Sequence, residues 1–235
     1  FLLGIKFLGE GLQKSTGNQL REILDKYTSN PFLGILAGIL VTVLMQSNAG
    51  TVILTVALVN AGYLTLRQSI GLIMGANIGT TFTAIIIGFN IGQYSLPIIA
   101  LGAFLLVFFK QQRVNVIGQA IFGFGSLFFG LRLMSMSMAP LGSFSFYQEL
   151  TTSISENPLL GIIIGAIFTM IVQSSTATIG VLQNLYAEHA MDLATAIPIL
   201  LGDNIGTIVG VTLAAIGVSI VAKRAAFIHL LFNVI

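Results

Sequence analysis

The sequence has no cysteine and no tryptophan, and it is poor in charge: ten Lys and Arg and eight Asp and Glu among 235 residues, or 8%. Without cysteine there is no disulfide frame, no thiolate metal site and no thiol nucleophile. Without tryptophan, any belt of aromatic residues at a membrane surface must rest on the five Tyr and on Phe. Soluble domains carry about 25% charged residues. A chain this apolar, with 55% hydrophobic residues and a mean hydropathy of +0.97, is neither disordered nor an ordinary soluble enzyme. The isoelectric point of 9.1 reflects a net charge of only +2. No basic patch exists for nucleic acid, and no nucleic-acid partner is expected.

What the chain does contain is long charge-free stretches. Forty residues separate Lys26 from Arg67, 42 separate Arg67 from Lys110, and 31 separate Glu156 from Glu188. About 20 apolar residues span a bilayer as a helix, so each stretch holds one or two crossings. The runs lack the polar–apolar alternation of barrel strands. The 26 glycines suit helices that pack closely within a membrane. The chain therefore reads as an all-α integral membrane protein, crossing the cell membrane several times. It starts at Phe1 without a signal-peptide pattern and reads as the core of a longer chain, trimmed at both ends.

Residues 30–81 and 157–208 align without a gap at an offset of 127, with 18 of 52 positions identical. The matches include Asn30-Pro31 with Asn157-Pro158, Gln46-Ser47 with Gln173-Ser174, and Thr51 with Thr178. They close on Gly75-x-Asn77-Ile78-Gly79-Thr80 and Gly202-x-Asn204-Ile205-Gly206-Thr207. Chance likeness between apolar helices consists of Leu, Ile and Val; polar and glycine matches indicate duplication. Leu3–Lys6 also resembles Phe129–Arg132. Duplicated units with discontinuous helices are a mark of secondary transporters.

Two polar interruptions occur in each unit. At the Gln-Ser motifs the apolar run divides into halves too short to cross, which predicts re-entrant helical hairpins over 31–62 and 158–187. At the Gly-x-Asn-Ile-Gly-Thr motifs it predicts transmembrane helices broken by unwinding, over 67–89 and 192–217. The remaining crossings fall at 1–13, 93–110, 114–139 and from 221 onward. The chain thus divides into repeat 1 (1–113) and repeat 2 (114–235) of one transporter domain. Three crossings separate the hairpins, so the repeats are inverted. In this topology Lys14, Arg21, Lys26, Arg67, Lys110, Arg113, Lys223 and Arg224 share one face. Glu149, Glu156, Glu188 and Asp192 occupy the other. Cytoplasmic faces are enriched in Lys and Arg, which favours this topology over one in which each hairpin is a single full crossing, since that would put Arg67, Lys110 and Arg113 opposite the other five.

Hairpin tips put helix N-termini at membrane depth, where free N–H groups and partial positive charge suit an anion. Gln, Ser and Thr add neutral donors, a set fit for a small oxyanion such as phosphate. An unwound stretch around Asn77 and Asn204 would expose oxygens suited to a hard cation such as Na⁺. Asp203, whose repeat counterpart is Ala76, is an acid within an apolar span and is expected to contact Na⁺ or H⁺, or else to pair with Lys6 or Arg132. His189 and His229 lack repeated partners and read as structural. No catalytic triad is apparent, so the chain is not expected to be an enzyme.

At these residues the sequence resembles the type II sodium-phosphate cotransporter family, which carries a Gln-Ser-Ser-Ser-like motif followed by Gly-x-Asn-Ile-Gly-Thr, twice. Leu64–Gln68 and His229–Asn233 also look like family segments. The resemblance implies Na⁺-coupled symport of inorganic phosphate by alternating access, with Na⁺ as coupling ion and no organic cofactor. It places phosphate at Gln46, Ser47, Asn48, Gln173, Ser174, Ser175 and Thr176. It places sodium among Thr51, Asn77, Thr80, Thr178, Asp203, Asn204 and Thr207. The first motif departs from the family: Asn48 and Ala49 stand where hydroxyl residues are expected, which leaves sulfate or a carboxylate open as the anion. An anion channel is a rival of another class. Phosphate, sodium and lipid are the expected partners, and a homodimer is one assembly compatible with the reading.

Overall fold

The computed structural model describes residues 1–16, 30–89 and 91–235; Arg21 and Lys26 of the topology argument lie outside them. Among the described residues there are twelve α-helices and no strand. They are α1 (Leu2–Thr16), α2 (Pro31–Met45), α3 (Asn48–Asn60), α4 (Leu66–Ile87), α5 (Ser95–Phe108), α6 (Gln112–Met138), α7 (Ser145–Glu156), α8 (Pro158–Val172), α9 (Ser175–Ala187), α10 (Leu193–Gly206), α11 (Ile208–Ala214) and α12 (Ile220–Val234). Three helical stretches, 66–87, 112–143 and 193–214, are long and apolar enough to cross a membrane. The protein is a multi-pass membrane protein.

The duplication recurs in the helix boundaries. Helices α2 and α8 are 15 residues each, α3 and α9 are 13 each, and both pairs are offset by 127. A 15-residue helix is ~22 Å long, short of the ~30 Å hydrocarbon layer. Each pair breaks at its Gln-Ser motif for the same local reason. Gln46 and Gln173 adopt left-handed backbone, φ 52° and 55°, which ends the first helix. Ser47 and Ser174 then cap the second, accepting from the N–H of Gly50 (3.0 Å) and Ala177 (3.3 Å).

Glycine sets how these helices meet the next one. A Cβ at Gly75 would come 2.1 Å from the Ile35 carbonyl oxygen, and one at Gly202 would come 2.0 Å from that of Ile162. Gly79 and Gly206 lie against Thr42 and Thr169, each 2.7 Å from the threonine Cβ by the same measure. Contacts Gly34–Gly71, Gly38–Gly75 and Thr42–Gly79 advance in one direction along both helices, so α2 and α4 are parallel and start side by side. Helix α3 must therefore carry the chain back to the level where α2 began. Helices α8, α9 and α10 repeat this arrangement.

The glycine motifs do not unwind, which corrects the expectation of broken helices. Helix α4 runs unbroken from Leu66 to Ile87 through Gly75–Thr80. Only Thr207 separates α10 from α11; its backbone is helical (φ −66°, ψ −22°), and its N–H donates to the Asp203 carbonyl at 3.2 Å. These glycines admit a neighbouring helix rather than loosen their own. The stretch expected to cross at 93–110 is helical from a 3₁₀ turn at Gly92–Tyr94 through α5 and stops at Phe108, because the chain turns extended at Phe109 before Lys110.

Helix α1 packs antiparallel on α6, with Gly4 against Leu127 and Gly11 against Ala120. Gly9 of α1 lies against Gln46, so α1 touches the first tip. Helix α7, unforeseen in the sequence, meets α8 at 115° and buries Ile154 while leaving Phe146 exposed.

Candidate functional site: a cleft between two hairpin tips

Both Gln-Ser motifs line one narrow cleft with an interior volume of about 40 Å³, partly open to the outside. All seven residues expected at an anion site lie on it: Gln46, Ser47 and Asn48 on one side, Gln173, Ser174, Ser175 and Thr176 on the other. Thr207 also borders it. The first N–H groups of α3 and α9, from Asn48, Ala49, Ser175 and Thr176, have no carbonyl within their own helices. The cleft thus collects two helix N-termini, three side-chain amides and several hydroxyls without an Arg or Lys. Such a set can hold an oxyanion by neutral donors and helix dipoles.

The two glutamine amides are held differently. Gln46 is buried; its Nε2 donates to the Val43 carbonyl (2.6 Å), and its Oε1 accepts from Thr83 Oγ1 (3.1 Å). Gln173 is exposed and donates to the Met170 carbonyl. Asn48 Nδ2 donates to Asn77 Oδ1 (2.7 Å), which ties the first tip to the first glycine motif.

Behind each tip sits a pair of buried threonines. In the first unit Thr42 Oγ1 donates to Thr51 Oγ1 (2.9 Å), and Thr51 donates to the Ser47 carbonyl (3.0 Å). In the second unit Thr169 Oγ1 donates to Asp203 Oδ1 (2.7 Å) and lies 2.8 Å from Thr178 Oγ1. Since Thr169 spends its only proton on the carboxylate, Thr178 is the donor of that pair. The hydroxyl chain thereby reverses direction, and the Ser174 carbonyl keeps only a long contact (3.3 Å) with Thr178. Asp203 is 1% exposed, and its Oδ2 has no hydrogen-bond partner. A buried carboxylate demands compensating charge, and neither Lys6 nor Arg132 provides it: Asp203 forms no ion pair with a described residue. Asp203 Oδ2, the threonine oxygens and the Ser174 carbonyl make an all-oxygen set of the kind hard cations take.

Of the other expected cation ligands, Asn77, Thr80 and Asn204 line an adjoining, mostly apolar chamber that Asp203 also borders, while Thr207 stays on the cleft. Asn48 and Ser175 border both spaces, so chamber and cleft meet there. Thr80 and Thr207 hydroxyls bond carbonyls of their own helices, Ala76 (3.3 Å) and Asn204 (2.7 Å). Because α4 is not unwound, it offers no loop carbonyls around Asn77. Thr42, Thr83 and Thr169 were missed in the sequence. The same offset of 127 pairs Thr42 with Thr169, and that identity was the available signal. His229 is buried and contacts the Asn233 amide within its own helix.

A sequence profile of Na⁺/Pi-cotransporters matches residues 1–136 and 143–235. The chain belongs to the Na⁺/Pi-cotransporter family. Relatives of known sequence include the "Uncharacterized protein YqeW" of Bacillus subtilis, 28% identical over the whole chain and 76% of that protein. The "Putative inorganic phosphate export protein YjbB" of Escherichia coli is 27% identical over 99% of the chain. The human "Sodium-dependent phosphate transport protein 2B" is 37% identical over 89 residues, 37% of the chain. The chain spans 43% of the length of YjbB and 13% of the human protein. No solved structure matches. The family is one of transporters, in keeping with a site built for binding.

Proposed function

We propose that this protein is a sodium-coupled symporter of inorganic phosphate that works by alternating access in the cell membrane. The observation that carries the reading is the meeting of the two Gln-Ser tips on one cleft. In this reading α2–α3 and α8–α9 are re-entrant hairpins within inverted repeats. The return of α3 and α9 to the level of the preceding helix supports this. So does their divergence from the cleft: α3 ends where Asn60 Oδ1 accepts from the Ser219 N–H (2.8 Å), while α9 runs to Gln183, beside Ala84 near the far end of α4.

Phosphate is held by the tip N–H groups and by Gln46, Ser47, Asn48, Gln173, Ser174, Ser175 and Thr176. Sodium binds first at Asp203 with Thr169, Thr178 and the Ser174 carbonyl. Thr51, Asn77, Thr80, Asn204 and Thr207 are the candidates for further sodium contacts. A cation placed behind a helix N-terminus offsets the charge of an incoming anion and stiffens the tip that receives it.

The test is uptake of radiolabelled phosphate into proteoliposomes. An imposed Na⁺ gradient accelerates uptake, and Gln46→Ala or Gln173→Ala lowers it at least about tenfold, as expected when hydrogen bonds to a charged ligand are lost. Phosphate flux indifferent to the Na⁺ gradient overturns the coupling. Sulfate taken up in place of phosphate overturns the substrate. A second reading, phosphate export, is favoured by the name of YjbB. Oriented vesicles separate the two: net flux out of the cytoplasmic side under a physiological gradient supports export.

A further inference from the structure

The cleft between the tips is rich in donors, and donors alone do not tell one oxyanion from another. Hydrogen phosphate and sulfate are both tetrahedral dianions of similar size. They differ in one proton: phosphate keeps a P–OH, which donates, while sulfate only accepts. A site that separates them needs a fixed acceptor, which the wrong anion leaves unpaired.

The orientation of two amides supplies one. Asn77 Nδ2 donates to the Ile73 carbonyl, one turn back in α4 (3.3 Å). A carbonyl cannot donate, so Asn77 must turn its oxygen the other way, and there it accepts from Asn48 Nδ2 (2.7 Å). Asn48 Oδ1 is left over. It is buried without a partner, and Asn48 as a whole is only 8% exposed. Asn77 lines the chamber but not the cleft, whereas Asn48 borders both. The NH₂ end of Asn48 is thus committed toward the chamber, and Oδ1 is the end left for the cleft.

No other side chain of the cleft lining has a buried polar atom without a partner. Gln46 Oε1 is taken by Thr83 Oγ1, and Gln173 is exposed. Ser47 and Ser174 have accepted from backbone N–H groups and keep their own protons to donate. Donors therefore surround a single fixed acceptor. A buried acceptor without a donor is costly; a P–OH placed there satisfies it, and a sulfate oxygen in the same place is repelled. The second tip has Ser175 where the first has Asn48, a hydroxyl that donates as readily as it accepts. The amide by which the first tip departs from the family motif is thus the group that gives the cleft its acceptor.

We propose that Asn48 is the specificity-determining residue of the cleft: its Oδ1 accepts from the single P–OH of hydrogen phosphate and so excludes sulfate. Asn77, which does not line the cleft, is the positioning residue that holds this oxygen in place. The inference rests on the phosphate reading above for where the anion sits, and adds to it the group that tells phosphate from sulfate. Arsenate, which also keeps one proton, passes the same selection.

The test is equilibrium dialysis of radiolabelled phosphate and, separately, radiolabelled sulfate against the full chain in nanodiscs. Na⁺ is saturating and the pH mildly alkaline, where phosphate carries one proton. Wild type is expected to bind sulfate about a hundredfold more weakly than phosphate, the upper range for one hydrogen bond to a charged ligand. Unlabelled arsenate displaces phosphate about as well as phosphate itself. Asn48→Ser, whose hydroxyl serves either anion, is expected to bind sulfate at least about tenfold more tightly than wild type, with phosphate affinity changed by less than about threefold. Misfolding cannot produce that gain. Asn77→Ala frees the Asn48 amide to turn its NH₂ to the anion and narrows the phosphate-to-sulfate ratio in the same direction, whereas a merely structural contact would weaken both anions alike. Sulfate binding unimproved in Asn48→Ser, or sulfate bound by wild type as tightly as phosphate, overturns the role of Asn48. A ratio unmoved in Asn77→Ala overturns the part given to Asn77. Phosphate affinity unchanged in a Gln46→Ala, Gln173→Ala double variant, with the ratio still moved by Asn48→Ser, overturns the glutamine half of the tip reading and leaves Asn48 in place.

Discussion

In the first unit the hydroxyl chain behind the tip runs from Thr42 through Thr51 to the Ser47 carbonyl. In the second it runs from Thr178 through Thr169 to Asp203. The backbones around them match to a few degrees at Gln46 and Gln173, so the difference arises from one side chain, Asp203 in place of Ala76. Packing differs as well. Val52, Val56 and Val59 of α3 are buried in the core formed with α4, α11 and α12. Their counterparts on α9 are Ile179, Gln183 and Tyr186, which line the apolar chamber, and Tyr186 is 47% exposed. Duplication has kept the frame and varied the chemistry. The first unit is uncharged behind its tip and buries the valine face of α3, while the second carries the acid and turns the matching face of α9 to the chamber.

If the frames are equivalent, damage to either must be equally severe. A Cβ at Gly75 or Gly202 would overlap a backbone carbonyl of the neighbouring helix, which cannot move without displacing the whole helix. Gly75→Ala and Gly202→Ala are each expected to destabilise by about 3 kcal/mol or more, the upper end for overpacking. Thermal melts in detergent check this. A melt lowered by one variant and not by the other breaks the equivalence.

The chemistry should separate the units where the frame does not. Thr169→Ala strips Asp203 Oδ1 of its 2.7 Å donor, at a cost of about 2–3 kcal/mol for a hydrogen bond to a charged group. Thr42→Ala removes one bond between neutral hydroxyls, worth about 1 kcal/mol. Stabilisation by added Na⁺ sharpens the contrast. Its midpoint should rise roughly tenfold in Thr169→Ala, the factor that ~1.4 kcal/mol supplies, and stay unchanged in Thr42→Ala. Equal shifts in both would show that Asp203 does not set the cation site.

The left-handed glutamines offer a subtler comparison. A non-glycine residue there costs of order 1–2 kcal/mol, and both units keep that strain. Gln173→Gly should raise the melting temperature while weakening phosphate binding about tenfold. Gln46→Gly should gain less, because Gln46 also accepts from Thr83. Loss of stability in Gln173→Gly would mean that the amide is structural.

Much of this was legible in the sequence because the two copies could be read against each other. Identity at Gln46/Gln173 and Ser47/Ser174 located both breaks and the cleft residues, and the same alignment held Thr42/Thr169. The error at Gly75–Thr80 has a physical origin. A glycine pair in an apolar run marks either unwinding or close helix contact, and only the position of Ile35 and Ile162 decides between them. The contacts of Gln183 with the Ala84 carbonyl and of Asn184 with the Leu131 carbonyl were not legible, because they depend on which helices α9 meets. Gln183 and Asn184 have no polar counterparts in the first unit, where Val56 and Ala57 stand.

The smallest expected difference lies at the start of the helix that follows each hairpin. Thr65 caps α4 in a reciprocal box with Gln68, a set of neutral groups indifferent to pH. Asp192 caps α10 through Oδ1, which accepts from the Thr195 N–H at 2.8 Å. Those hydrogen bonds to Thr195 hold the Asp192 carboxyl below its usual value of 3.8. A carboxyl with a depressed folded pKa contributes stability above its unfolded pKa and loses it as pH falls through the folded one. The α10 cap should therefore persist at neutral pH and weaken below about pH 4, the ordinary carboxylate range. The α4 cap should not change. Amide exchange at Thr195 and Gln68 reads the two ends separately. Acid-induced exchange at Thr195 alone confirms that the units differ even in how their long helices begin; matched behaviour at both amides would assign the fraying to general acid unfolding instead.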